Sequence, residues 1–228
     1  MGCCTQRADY QVTEGEFLAA KSLTGKVTED TTYYKLKQKF WSWTEDYTIK
    51  DSKDNQIMRV GGKLLTLRDG KTAFDMNDQK LAYFQNKLMS MHSNYYVFSY
   101  EPVCEGQEST EKDADDVPVY RYAKIEKDIC SCRPRFTMYM FTSNEDCHPI
   151  IRSEGTCFSC RFNMKIMMHK DRPNGRGNMP IVGQLGEQTI LEWGHENWGI
   201  KLAKGMDPIL SIIFCIAVED ILKDEEKN

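Results

Sequence analysis

No apolar run in this chain of 228 residues reaches the roughly 20 residues that a membrane-spanning helix needs. The start, MGCCTQRADY, lacks the basic and apolar regions of a secretory signal. A Gly-rich phosphate loop after a strand and a nucleophile elbow are both missing. The 4 histidines, His92, His148, His169 and His195, fall into no triad and no metal-ligand spacing. These absences argue for a non-enzyme that carries no cofactor. They also argue for the reducing cytoplasm, where the 9 cysteines stay as thiols. A basic excess is absent too. The net charge is −4, which argues against nucleic acid as a partner.

The charge is unevenly placed. Residues 101–116, EPVCEGQESTEKDADD, hold 7 acids and 1 Lys. From Glu219 onward there are 5 acids and 2 Lys, which leaves a mildly basic body between two acidic appendages. Residues 1–30 show no sustained periodicity and read as a flexible arm. Residues 31–222 read as one domain, with 101–116 as a solvated acidic loop inserted in it and 223–228 as a charged tail.

Within the body, short strand-like segments alternate with turns. YYKLKQKF, YTIKD, QIMRV and NYYVFSY fall in the first half. PVYRYAKIEKD, PRFTMYMFT, HPIIRS, TCFSCRFNMKIMM and MPIVGQL fall in the second. Asp69-Gly70 and Asn77-Asp78 are hairpin-turn signals. SKDNQIMRVGG and SNEDCHPIIRSEG share a polar turn, an apolar pair, an Arg and a Gly, a faint sign of two repeats.

The stretch MDPILSIIFCIAVEDIL is different. Asp207 and Pro208 form an N-cap and first helical position. Between Ile209 and Val218 only Ser211 is polar. The residues Ile209, Leu210, Ile212, Ile213, Phe214, Ile216 and Val218 cover the whole helix circumference. From Ile209 to Leu222 the helix is only about 21 Å long. Such a helix needs an enclosure of protein. Many short antiparallel strands need to hide their edges. A closed barrel with the helix as its filling satisfies both needs.

The block KFWSWTEDYTIKDSKDNQIMRVGGKLLTLRDGKTAFDMNDQKLAYFQNKLMSMHSNYYVF, with the end WGIKLAKGMDPILSIIFCIAVEDIL, resembles the LURP-one-related family of the tubby C-terminal-like superfamily. The resemblance covers about residues 31–222. It implies a mainly β fold, a closed antiparallel barrel of about twelve strands around a central hydrophobic C-terminal helix. The superfamily also contains the tubby proteins, which bind phosphoinositides, and the phospholipid scramblases.

Three groups of residues are candidates for function. Gly2 resembles an N-myristoylation start, and Cys3 and Cys4 beside it are natural palmitoylation sites. Two acyl chains together would anchor what one holds only marginally. Lys35, Lys37 and Lys39 alternate, so a strand places them on one face. Lys170, Arg172 and Arg176 form a second basic group in a turn-rich loop. Either basic group could meet an anionic lipid headgroup. The pairs Cys130/Cys132, Cys147/His148 and Cys157/Cys160 read as ordinary cysteines rather than a zinc site, and no metal is expected. Asp51 and Asp54 read as a hairpin turn rather than a calcium loop.

The expected function is a non-catalytic module that binds membrane lipid, phosphoinositide included, or carries a signal. The module is a cytoplasmic monomer, peripheral to a membrane through its acylated arm. A phospholipid scramblase-like protein is one alternative. A soluble protein-interaction domain that docks a protein partner through the acidic loop is another.

Overall fold

A computed structural model describes residues 22–38, 46–62, 70–87, 94–109, 111–128, 133–143, 145–155, 163–168, 179–187 and 197–227. The β-branched and aromatic runs form strands. They are β1 (Thr32–Gln38), β2 (Tyr47–Lys50), β3 (Gln56–Gly62), β4 (Gly70–Phe74), β5 (Lys80–Lys87), β6 (Asn94–Ser99), β7 (Glu111–Lys112), β8 (Pro118–Lys127), β9 (Arg135–Phe141), β10 (Cys147–Gly155), β11 (Asn163–Met168), β12 (Ile181–Glu187) and β13 (Asn197–Leu202). One helix follows, α1 (Pro208–Lys227).

Sequence neighbours pair antiparallel from β1 to β6 and from β8 to β13. Two seams close the ring. β1 pairs β13, with Tyr34 opposite Ile200, and β6 pairs β8, with Val97 opposite Ala123. Twelve strands therefore form a closed antiparallel barrel, and β7 is a two-residue ribbon on β8. Closure pairs the edges that an open sheet would expose.

Alternation decides which residues fill the barrel. Leu36, Ile49, Met58, Val60, Phe84 and Ile200 point inward and are fully or almost fully buried. The helix lies among them. All seven of its expected core residues, from Ile209 to Val218, are buried at 9% exposure or less. Full burial of one such side chain is worth roughly 2 kcal/mol. This explains why a helix without a polar face is stable here.

Three hairpin turns are built alike. Asp51, Asp75 and Asp113 each accept, on Oδ1, the backbone N–H groups two and four residues on. The fourth residue of each turn is an Asp with positive φ: Asp54 at 66°, Asp78 at 60° and Asp116 at 63°. Asp tolerates this left-handed region better than most residues. Asn77-Asp78 therefore does turn the chain, as its sequence suggests.

These turns, the β6–β8 connection and the start of α1 share one end of the barrel, the turn end. The helix runs from there toward the opposite end.

Two segments differ from expectation. Residues 22–30, expected as part of a flexible arm, are stapled to the helix start. The Thr28 amide donates to Met206 O at 2.8 Å, and its hydroxyl donates to Ala203 O at 2.6 Å. The Leu23 amide donates to Asp207 Oδ2 at 2.7 Å. Orphan backbone groups are satisfied here without any periodic side-chain pattern. The acidic stretch is not a wholly solvated loop either. Lys80, Tyr100 and the Val119 and Arg121 carbonyls bond it to the barrel, whose outer face carries a small second core of Tyr83, Phe98 and Val119. Gly70 lets the Tyr83 ring lie directly on β4, since a Cβ there would collide with its hydroxyl.

Candidate functional site

The outer surface of β13, β1, β2 and β3 is the most distinctive part of the molecule. Tyr34 and Leu36 point in, so Lys35 and Lys37 point out. Register carries this outward face across the seam and along the sheet. Lys50 on β2 lies opposite Lys35, and Arg59 on β3 lies opposite Thr48, which itself lies opposite Lys37. On the other side Lys201 of β13 lies opposite Tyr33. Five cations thus share one wall, and these four adjacent strands contain no acidic residue.

Like charges directly opposite one another destabilise a sheet. The Lys35–Lys50 pair is such a case. Its counterion comes from the turn that follows β2. Asp54 accepts from Lys35 Nζ at 2.8 Å, and Asp78 of the next turn accepts from Arg59 at 2.8 Å. The Lys35 ammonium beside Asp54 holds that carboxyl below its usual range. Both ion pairs are solvent-exposed and weak enough to exchange partners.

The sequence brings together only part of what it suggests. Lys35 and Lys37 do share one outward face. Lys39, Lys170, Arg172 and Arg176 lie outside the described residues, as do Gly2, Cys3 and Cys4. Lys50, Arg59 and Lys201 are additions that spacing along the chain does not reveal. Cys130, Cys132, Cys157 and Cys160 also lie outside the described residues. Among the described residues no group of three or more His, Cys, Asp or Glu side chains could hold a metal.

The opposite wall carries the acidic segment, and the ties that hold it are specific. Lys80 Nζ donates to Asp113 at 2.6 Å and to Asp115 at 2.8 Å, and the Tyr100 hydroxyl donates to Asp113 at 2.8 Å. Gln107 is buried, accepting from the Val103 amide and donating to Arg121 O. Burial pushes the Asp113 carboxyl up, but Lys80, the Val117 amide and Tyr100 outweigh it and hold it below its usual range.

A third polar group lies inside the barrel, near the end opposite the turns. Glu219 and Asp220 belong to α1 and are each 5% exposed, so the acidic tail does not begin at Glu219. Asp220 Oδ2 accepts from Lys71 Nζ at 2.6 Å and from the Tyr95 hydroxyl at 2.7 Å. Glu219 accepts from the Tyr47 hydroxyl at 3.0 Å and from Lys223 at 2.9 Å. Burial pushes the Glu219 carboxyl up, and Lys223 pulls it only part of the way back. Nothing in chain spacing announces that β2, β4 and β6 deliver partners to one turn of helix.

Comparison with known proteins agrees with this architecture. The model of a family described as LURP-one-related matches residues 32–219. The fold is similar to that of a protein from Arabidopsis thaliana solved by X-ray crystallography. The TM-score is 0.58 at 12% sequence identity, over 91% of this chain and 99% of that one. At that identity the likeness is one of fold. No curated protein matches the chain.

Proposed function

The chain belongs to the LURP-one-related family, its model spanning residues 32–219, and from that premise we propose a non-catalytic module that binds anionic lipid at a membrane surface. The observation that carries this reading is the wall of Lys35, Lys37, Lys50, Arg59 and Lys201 on four strands without an acid. A cationic surface suits a plane of phosphate headgroups, and each basic residue near such a plane contributes about 1 kcal/mol. Acylation at Gly2, with Cys3 or Cys4, would supply the hydrophobic part of the attachment.

A scramblase-like role, in which α1 enters the bilayer, has less support. Among the described residues no helix is long and apolar enough to cross a membrane. Withdrawing α1 would also strip Asp220 from Lys71 and Tyr95.

The test is co-sedimentation of the full, unacylated chain with phosphatidylcholine vesicles. These carry phosphatidylserine or phosphoinositide at matched charge, and binding is followed against salt. Binding is expected to need anionic lipid and to weaken with salt. Lys35→Glu, Lys37→Glu and Lys50→Glu together are expected to reduce it by more than about a hundred-fold. Unchanged binding by that variant would remove the wall from the proposal. No binding by the parent chain would leave a soluble interaction domain as the better reading. In cells, Gly2→Ala is expected to move the protein from the membrane fraction to the soluble one.

A further inference from the structure

The ring order turns most of the basic wall away from the acidic segment, although its edge strand β3 lies two steps from β5. From β1 to β8 there are six steps around the barrel in either direction. The basic wall, β13–β1–β2–β3, is centred between β1 and β2. The segment 101–116, with 7 acids and 1 Lys, is held on the outer face beside β5, β6 and β8. Twelve strands about 4.8 Å apart, tilted by about 40°, enclose a ring about 24 Å across. At physiological ionic strength the screening length is about 8 Å. A charged plane touching the β13–β1–β2 part of the wall therefore senses the acidic segment only weakly. It responds to the wall it faces and not to the net charge of −4.

We infer that the barrel docks on an anionic membrane in a single orientation, with the β13–β1–β2–β3 wall against the lipid and the acidic segment turned to the aqueous side. This rests on the lipid-binding reading above. Approach by the acidic side is repelled. Its charge cannot swing away, because Lys80, Tyr100 and the Gln107 contacts fix the segment to the barrel. Glu101, Glu105 and Glu108 are exposed on it. They supply repulsion without taking part in those ties.

The experiment is covalent footprinting of the full chain, free and bound to phosphatidylcholine/phosphatidylserine vesicles. An amine reagent reads lysines, and a carbodiimide with an amine tag reads carboxylates. On binding, Lys37, Lys50 and Lys201 are expected to lose reactivity several-fold. Lys112, Glu101, Glu105 and Glu108 are expected to keep theirs. Protection of the acidic segment, or equal protection of both sides, would overturn the inference while leaving lipid binding intact. A parent chain that binds no vesicle would overturn the lipid-binding reading and this inference with it. A second variant, Glu101→Lys, Glu105→Lys and Glu108→Lys, tests the cause. It alters exposed side chains only and is expected to extend protection to Lys112, as a second orientation opens. If it still docks by the basic wall alone, opposed charge does not set the orientation.

Discussion

The two ends of the barrel hold the same helix by different physics. At the turn end, Asp207 caps α1 by accepting the Leu210 amide at 2.9 Å on Oδ1, while Oδ2 takes the Leu23 amide. The bonds there go mostly to backbone, beside apolar packing. At the opposite end the helix is gripped by ionised and hydroxyl side chains that sit in the core, Asp220 with Lys71 and Tyr95 and Glu219 with Tyr47 and Lys223. Displacing the apolar part of the helix loses packing. A buried ion pair adds a further cost, because a shift by one residue leaves a charge without its partner. The polar end thus adds a penalty for displacement to the one that caps and packing impose at the turn end.

Substitution should separate the two mechanisms. Asp220→Ala has the largest expected effect. It strands Lys71, which is nearly as buried as its partner, and should cost about 3–5 kcal/mol in urea unfolding. Replacing both partners, Asp220→Leu with Lys71→Met, should recover most of that loss. A single variant as stable as the parent would show that the pair does not hold the helix. Asp207→Ala at the turn end should cost less, about 1–2 kcal/mol, the range for losing an N-cap. If it costs more than Asp220→Ala, the contrast between the ends is reversed.

Glu219→Gln should have the smallest effect and the opposite sign. Burial raises the Glu219 carboxyl in the fold. Its favourable share is complete below the unfolded carboxylate value of about 4.3 and is lost as pH rises through the folded value. The variant should therefore be more stable than the parent at pH 7. That advantage should fade toward pH 4. Urea midpoints measured across that range would show it, and a gap that widens on acidification would contradict it.

What could be read from the chain divides along the same line. A helix apolar on every side demands an enclosure wherever it occurs, so barrel and plug follow from Ile209 to Val218 together with the many short strands. The faint echo between SKDNQIMRVGG and SNEDCHPIIRSEG also has a physical counterpart. The first is the β2–β3 turn with β3, and the second is the β9–β10 turn with β10. These are the second and third strands of each half of the ring. Lys35 and Lys37 were legible because alternation is local. Lys50, Arg59 and Lys201 were not, because they join the wall through register between strands. For Lys201 that register crosses the closing seam. Glu219 and Asp220 read as the solvent-facing end of the helix because acids are seldom buried. Only partners from distant strands make their burial tolerable. Thr28 was hidden for a similar reason, its bonds going to backbone at Ala203 and Met206.

The β1–β13 seam also governs when the barrel can form. Thr32 pairs with Leu202, and the plug follows at 208–227. A ribosome that has finished β1 must add about 160 further residues before that strand meets its partner. Until α1 emerges, the chain is a curved sheet with two open edges and an uncovered apolar face, the kind of surface that aggregates or recruits chaperones. Closure and filling are therefore late, coupled events in synthesis. Losing the last twenty described residues should leave a sticky sheet rather than a smaller stable domain.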